Sequence, residues 1–332
     1  MIFFILCILF IFAIVKIIFQ STNRVYLGPE CLNGKIAVVT GGNRGIGFEV
    51  SKSLASRGCT VIIACRSKAE NERRKLIEIT RNENIFVQPV DLKSFKSVRD
   101  FAKEVHKMVD KIDILINNAG IGSELGLTED GLHPVLQCNT FSPFLLTHLL
   151  VDLLKKSDDA RIVFSSSVLA FLENLTPENL MIPASKNTGS MVYFFTIYGT
   201  SKLAEIIISN KLSEKLQKYG IKSNALHPGF INTDIWKSLE IKPSLTAFEY
   251  CLKYIFYVLL LIYSKNTQDG AQGIIELATS SQYKNISGQF YWGFGMNNIY
   301  PNPTKLKNAE FCNAIWNKLE EIVKLKPEEV LK

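Results

Sequence analysis

The sequence predicts an α/β fold, a doubly wound parallel sheet in a single domain preceded by an N-terminal transmembrane helix. Three observations predict it. From Lys35 onward, short apolar runs rich in β-formers alternate with segments of helical period, the rhythm of βαβ units. The first of these runs opens into a glycine-rich turn, Gly41 to Gly47, after which Ile46, Val50 and Leu54 trace one helical face. Ahead of all this, Ile2 to Phe19 is an apolar stretch broken only by Lys16.

Taken in order, the strands are expected at Ile36 to Thr40, Thr60 to Cys65, Ile85 to Val90, Ile112 to Asn117, Arg161 to Ser165, Ser223 to Leu226 and Gln289 to Trp292. Helices fill the gaps, among them Ile46 to Arg57, Phe95 to Val109, Val135 to Lys155 and Tyr198 to Tyr219. Right-handed crossovers then stack helices on both faces, and ligands bind at the carboxyl ends of the strands. Leu169 to Phe195, with Pro177, Pro183 and Gly189, reads as a long insertion near that edge. No internal repeat or low-complexity segment is present.

The organisation that follows is an anchor at 1–20, a linker at 21–34, a main domain at 35–300 with insertions at about 168–197 and 234–265, and a C-terminal helical tail at 301–332. From Pro303 the tail mixes six Lys with five Glu, the pattern of a solvated amphipathic helix. The apolar run Tyr254 to Tyr263 is ten residues long, too short to span a membrane. It reads as a pocket helix, as a lid dipping into lipid, or as buried core.

At ~1.5 Å per helical residue the N-terminal run reaches roughly 27 Å, close to the hydrocarbon thickness of a bilayer. A cleaved signal peptide would want positive charge ahead of a shorter run and a small-x-small exit, whereas here Gln20-Ser-Thr-Asn23 follows. An uncleaved anchor is expected. Lys16, Arg24, Lys35 and Arg44 lie on its C-terminal side, which places the main domain in the cytosol by the positive-inside tendency.

Composition narrows the function classes. With 332 residues, 47% hydrophobic and 21% charged, the chain can bury a large core. The net charge of +7 is spread rather than blocked, so nucleic acid is not an expected partner. The seven cysteines form no C-x-x-C pair and read as reduced, and the four histidines form no H-x-x-x-H pair, so no metal site is expected. A hydrolase would need a G-x-S-x-G elbow, and none occurs.

The glycine turn lies between a strand and a helix, where glycines let backbone approach a pyrophosphate and the helix N-terminus offers unbonded N–H groups. It is not a P-loop, because no Lys-Ser/Thr follows the last glycine. A site preferring NAD carries an acid at the end of the second strand; here that strand ends Ala64-Cys65-Arg66. Arg66, with Arg44 in the turn, would instead pair with a ribose 2′-phosphate, so NADP(H) is the expected cofactor. Downstream, Tyr198 and Lys202 stand four residues apart on one helical face, suited to an acid/base pair beside a bound dinucleotide.

Thr40-Gly41-x-x-x-Gly45-Ile46-Gly47, Asp91-Leu92, Asn117-Asn118-Ala119-Gly120, Asn139, the Ser165 to Ser167 cluster, Tyr198-x-x-x-Lys202 and Pro228-Gly229 together resemble the short-chain dehydrogenase/reductase family in order and spacing, over Lys35 to Trp292. Val61-Ile-Ile-Ala-Cys-Arg66, Phe144-Leu-Leu-Thr-His-Leu-Leu150 and His227-Pro-Gly229 resemble its membrane-anchored retinol-dehydrogenase-like branch.

The resemblance implies a Rossmann-like domain and assigns roles. Tyr198 exchanges the proton with the substrate oxygen, Lys202 lowers its pKa and bonds the nicotinamide ribose, and Ser167 holds the carbonyl oxygen, with Ser166 an open alternative. Asn139 anchors a water that relays protons to Lys202; a helix-interior amide bonding a nearby carbonyl is the plainer reading. Gly41, Asn43, Arg44, Gly45, Ile46 and Gly47 cradle the cofactor with Arg66, and Asp91 and Leu92 meet the adenine side. Asn118, Ala119 and Gly120 shape the site, and Pro228, Gly229, Ile231 and Thr233 meet the nicotinamide. Ser167 and Tyr198 are 31 positions apart, so the intervening loop shapes substrate entry.

The activity implied is NADP(H)-dependent hydride transfer with a lipophilic carbonyl or alcohol, retinal/retinol-like first, at a membrane, the endoplasmic reticulum before mitochondria or lipid droplets. A hydroxysteroid or other lipid-alcohol dehydrogenase shares the machinery. A membrane-tethered nucleotide-binding scaffold without turnover is the remaining class, and homo-oligomerisation is left open.

Overall fold

One seven-stranded parallel sheet organises the chain in a computed structural model that describes residues 25–181, 191–233, 235, 251, 254–255, 258, 264–293, 295, 299 and 302–331. The expected anchor lies outside the described residues, as does most of the 234–265 insertion. Among the described residues no helix is long and apolar enough to cross a membrane.

The strands are β1 (Ile36–Thr40), β2 (Thr60–Cys65), β3 (Ile85–Pro89), β4 (Ile114–Asn117), β5 (Arg161–Ser165), β6 (Lys222–His227) and β7 (Phe290–Trp292), in spatial order 3-2-1-4-5-6-7. They fall where the apolar runs predict, with ends shifted by a residue or two. The runs of β1, β2 and β4 are almost continuously apolar because both faces are buried, whereas β3 is half exposed and β6 opens on Lys222, Ser223 and Asn224. In β1, Ala37 and Val39 enter one core while Val38 enters the other, and Leu115 of β4 is likewise opposed to Ile114 and Ile116.

Two helical layers cover those faces. On one side lie α1 (Gly45–Ser56), α2 (Glu70–Thr80) and α6 (Thr267–Thr279), which contribute Val50, Leu54, Leu76 and Ile274. The other holds α3 (Phe95–Met108), α4 (Ser142–Leu154) and α5 (Met191–Leu216), with Phe101, Leu146 and Ile207. The doubly wound architecture is therefore present, with its switch point between β1 and β4.

Three features depart from the sequence expectation. The helix expected over Val135 to Lys155 is interrupted: a turn at Pro134–Leu136 passes into a π-helical segment, Gln137–Phe141, before α4 begins. Helix α5 starts at Met191, seven residues before Tyr198, so Tyr198 stands in its third turn rather than at its mouth. The tail forms a helix, α7 (Ala309–Ile322), that is more than solvated: its Cys312, Ile315, Trp316, Leu319 and Ile322 join the core beneath α4 and α5.

Far from the switch point, Asp113 locks the amino ends of the strands. Its carboxylate accepts from Lys35 Nζ at 2.9 Å, from the Ile36 N–H at 3.0 Å and from Ser157 Oγ at 2.6 Å. Burial pushes its pKa up, but these hydrogen bonds outweigh it and hold the carboxyl below its ordinary value.

Candidate active site

A cleft of about 790 Å³ opens at the carboxyl ends of β1, β4, β5 and β6. Thr40, the last residue of β1, builds the junction at its base. Its hydroxyl accepts from the N–H groups of Asn118 (2.9 Å) and Ala119 (3.0 Å) and donates to Ile116 O (3.2 Å), while Asn118 Nδ2 donates to Thr40 O (3.0 Å). The loops after β1 and β4 are thereby clamped together where the sheet order reverses.

The first part of the cleft fits a dinucleotide phosphate. Helix α1 begins at Gly45, its N-cap Arg44 makes no side-chain cap, and its first turn carries no acid, an arrangement that suits an anion. Gly45 has φ +59° and only open space where a Cβ would stand. Gly41, Asn43, Arg44, Gly45 and Ile46 line the cleft. Gly47 does not; a Cβ there would collide with Gly41 O, so its smallness lets α1 close onto the turn.

Exposed Arg44 and Arg66 stand on the cleft wall, and β2 ends without a carboxylate. Asp91 and Leu92 line it too. Asp91 Oδ1 accepts from the Lys93 N–H at 2.9 Å and so shapes the turn before α3, whose cap is Ser94. Ala119 and Gly120 continue the wall from β4, and Pro228, Gly229, Ile231 and Thr233 from β6. A parallel bridge to Lys265 pins Ile231, with Lys265 N donating to Phe230 O at 2.8 Å.

Deeper in the cleft, α5 brings Tyr198 and Lys202 beside the end of β5. Gly199 makes this approach feasible, because a Cβ there would collide with Leu169 O in the 3₁₀ turn Val168–Leu172. The Ser166 hydroxyl donates to Lys202 O at 2.7 Å, which fastens β5 to α5. Ser167 instead accepts from the Leu169 N–H at 3.1 Å, leaving its own O–H able to donate.

Lys202 is buried, and its ammonium donates to Ser165 O at 2.9 Å and to Glu205 Oε1 at 2.7 Å. Burial presses the ammonium toward deprotonation, yet Glu205 and then Tyr198 outweigh it and hold the Lys202 pKa above its ordinary value. Burial also raises the Tyr198 phenol, against the pull of Lys202 and with a push from Glu205. The Glu205 carboxyl is raised by burial to about 7 despite its ion pair.

Asn139 does not line the cleft. It sits in the π-helical segment, fully buried, with Oδ1 accepting from the Ile121 N–H (2.9 Å) and Nδ2 donating to Ile121 O (3.0 Å) and to Ser201 Oγ (3.1 Å). The widened turn sets this amide across the chain just beyond Gly120. A Cβ built on Gly120 would stand 3.4 Å from Asn139 Oδ1 and 3.6 Å from Lys202 Nζ, so both groups border the same point.

Sequence reasoning named most of this wall but assigned no role to Thr40, Gly199 or Glu205. Glu205 carried a readable signal, its i+3 spacing from Lys202 on a helix. The contact partners of Thr40 and Gly199 come from distant segments, and nothing local announces them. Among the described residues no cluster of His, Cys, Asp and Glu could hold a metal.

A doubly wound sheet with an anion cradle at its switch point, and a tyrosine–lysine pair facing a serine across the same cleft, defines a dinucleotide-dependent oxidoreductase. Comparison with known proteins agrees. The short chain dehydrogenase family model matches residues 35–243. Retinol dehydrogenase 13 of Mus musculus is 34% identical over 88% of this chain and 84% of its own length, and retinol dehydrogenase 12 of Bos taurus is 32% identical over 91% and 92%. The solved active-site complex of Pseudomonas aeruginosa RhlG with NADP superposes with a TM-score of 0.59, at 25% identity, over 79% of this chain and 95% of that one. The chain belongs to the short-chain dehydrogenase/reductase family, in its retinol-dehydrogenase-like branch, and is an oxidoreductase of the kind that binds a nicotinamide cofactor.

Proposed function

We propose that the protein is an NADP(H)-dependent reductase of lipophilic aldehydes or ketones, retinal-like substrates first, held at a membrane with its catalytic domain in the cytosol. The observation that carries this reading is that Ser167, Tyr198 and Lys202 share one cleft with the phosphate cradle and with the apolar side chains of Ile121, Leu169, Phe230 and Ile235.

When bound, the nicotinamide supplies or accepts the hydride. Gly41 to Ile46 would hold the pyrophosphate, with Gly47 letting α1 close, and Asp91, Leu92, Asn118, Ala119 and Gly120 would shape the adenine and ribose walls. Pro228, Gly229, Ile231 and Thr233 border the nicotinamide end. Ser167 donates its hydroxyl hydrogen to the carbonyl oxygen as negative charge gathers there. Tyr198 transfers its phenolic proton to that oxygen, completing the alcohol, and Lys202 stabilises the phenolate left behind. Ser165 O and Glu205 occupy two of the three N–H groups of Lys202, and the third serves the ribose. Apolar walls exclude bulk water and favour a substrate that partitions into lipid.

Arg66 carries the choice of NADP(H). Purified protein assayed against retinal, steroid ketones and fatty aldehydes is expected to turn over the lipophilic carbonyls with NADPH far better than with NADH. Arg66→Ala removes a charged hydrogen bond worth ~1.5–3 kcal/mol and narrows that preference about ten- to a hundredfold. Equal kcat/KM with both cofactors in the unmutated protein would overturn the assignment.

For the membrane, the support is the Ile2 to Phe19 run and the basic residues after it. The endoplasmic reticulum is the proposed site. Two sequons whose asparagines are exposed, Asn174-Leu-Thr176 and Asn285-Ile-Ser287, report on orientation. In microsomes neither should be glycosylated; a glycosidase-sensitive mass shift on the full chain reverses the topology.

A further inference from the structure

The buried carboxylate beside Lys202 is unexplained by anything the reaction requires. Glu205 and Lys202 have side chains only 3% exposed, and Glu205 Oε2 has no hydrogen-bond partner among the described residues. A half-satisfied ion pair of this kind is a poor source of stability, since desolvation cancels most of its attraction. Its position is what distinguishes it, three residues along α5 from the lysine whose charge acts on Tyr198.

We propose that Glu205 is a positioning residue that sets the protonation balance of the Tyr198–Lys202 pair: it holds the ammonium on a carboxylate, weakens the pull of Lys202 on the Tyr198 phenolate, and so biases the site toward carbonyl reduction. This rests on the reading of Tyr198 as the acid/base group. The sign follows from electrostatics. An ammonium alone favours phenolate, an ammonium neutralised by a carboxylate favours it less, and a tyrosine kept as phenol near neutral pH is ready to give a proton rather than take one.

The surroundings leave Glu205 as the anion that governs this balance. On α5 the facing groups are Lys202 and Tyr198 themselves. From the π-helical segment comes the Cys138 thiol, pushed up by burial to about 12 and therefore uncharged near neutrality. From β5 comes only the Ser165 carbonyl. His227, at the end of β6 on the same cleft, is pushed down by burial to about 3 and is neutral as well. Arg66, Asp91 and Lys93 act on Cys138 from the cofactor side.

Glu205→Gln keeps the shape and a hydrogen-bond acceptor while removing the charge; Glu205→Leu removes the charge by a different route should Gln disturb folding; Glu205→Asp keeps it. The first readout needs no cofactor. Tyrosinate absorbance is titrated in the full-length protein, and the contribution of Tyr198 is isolated by subtracting the same titration of Tyr198→Phe made in each background. Tyr198 should ionise at lower pH in Glu205→Gln and Glu205→Leu, and near its unmutated midpoint in Glu205→Asp. The second readout is the pH profile of alcohol oxidation with NADP, whose rising limb should move to lower pH in the same two variants, so that the ratio of oxidation to reduction kcat, compared above the Glu205 titration at about 7 where its charge is present, rises while the KM for cofactor holds. A Tyr198 midpoint and an oxidation limb that stay in place, or move upward, when the charge is removed overturn the proposal. Turnover at the unmutated rate in Tyr198→Phe overturns the acid/base reading instead, and the absorbance titration tells the two failures apart.

Discussion

Tyr198→Phe is expected to lower turnover ~10²- to 10⁴-fold while sparing the fold and NADPH binding. The variant removes one hydroxyl from a ring that is 6% exposed and stacked on Phe194 at 5.9 Å between centroids, so the packing that holds α5 survives. What disappears is the proton donated to the substrate oxygen, a contribution of ~10² to 10⁴-fold. Single-turnover hydride transfer should fall by that factor, and cofactor affinity should stay within about twofold. Lys202→Ala should lose both, because its ammonium serves the ribose and the tyrosine and ties α5 to Ser165 O. A Tyr198→Phe protein that reduces its best aldehyde at the unmutated rate with normal NADPH binding overturns the assignment.

Trp316→Ala carries the largest expected loss of stability. The indole is 2% exposed, meets the Phe144 ring edge-on at 4.9 Å, lies under Lys215 Nζ at 5.1 Å and donates Nε1–H to Glu320 at 2.7 Å. Truncation leaves a cavity between α7, α4 and α5 and costs ~3–5 kcal/mol, as large aromatic deletions in cores do. Urea unfolding measures it, and Trp316→Phe should recover part of the loss. A cost below about 1 kcal/mol would mean that the tail is only draped on the surface, as its Lys/Glu composition suggests when read alone. The stripe Cys312, Ile315, Trp316, Leu319, Ile322 has the spacing of a buried face, but that spacing does not say against what it packs.

Elsewhere the fold was legible because its signals are local. The runs of β1, β2 and β4 are almost continuously apolar and bounded by turns, the pattern of strands buried on both faces, and they set the alternation from which the remaining strands follow. The first two turns of helix α5 are hidden in the sequence, since Val192-Tyr-Phe-Phe-Thr-Ile197 is β-branched and aromatic, a composition that weakens any helix assignment. The chain helicates there from Met191 because Phe194 and Ile197 gain burial in doing so, and packing outweighs propensity. The π-helical turn at Gln137–Phe141 escaped for a related reason. Its residues are all buried although Gln137, Asn139 and Thr140 are polar, so no contrast between an apolar and a polar face marks the change of period.

By itself, the sequence determined the glycine cradle, the basic residue after β2 and the tyrosine–lysine pair, since each depends on neighbours within a turn or two of helix or strand. It also pointed to Ser167 among three serines by pattern. Only the tertiary structure showed that the Ser166 hydroxyl is committed to Lys202 O while the Ser167 hydroxyl can still donate, that Asn139 faces Ile121 behind the cleft, and that Glu205 is buried against Lys202. Those outcomes depend on which surfaces meet once the sheet is covered. Burial decides the charge state and the unspent hydrogen bonds of a side chain, and burial is a property of packing rather than of local order along the chain.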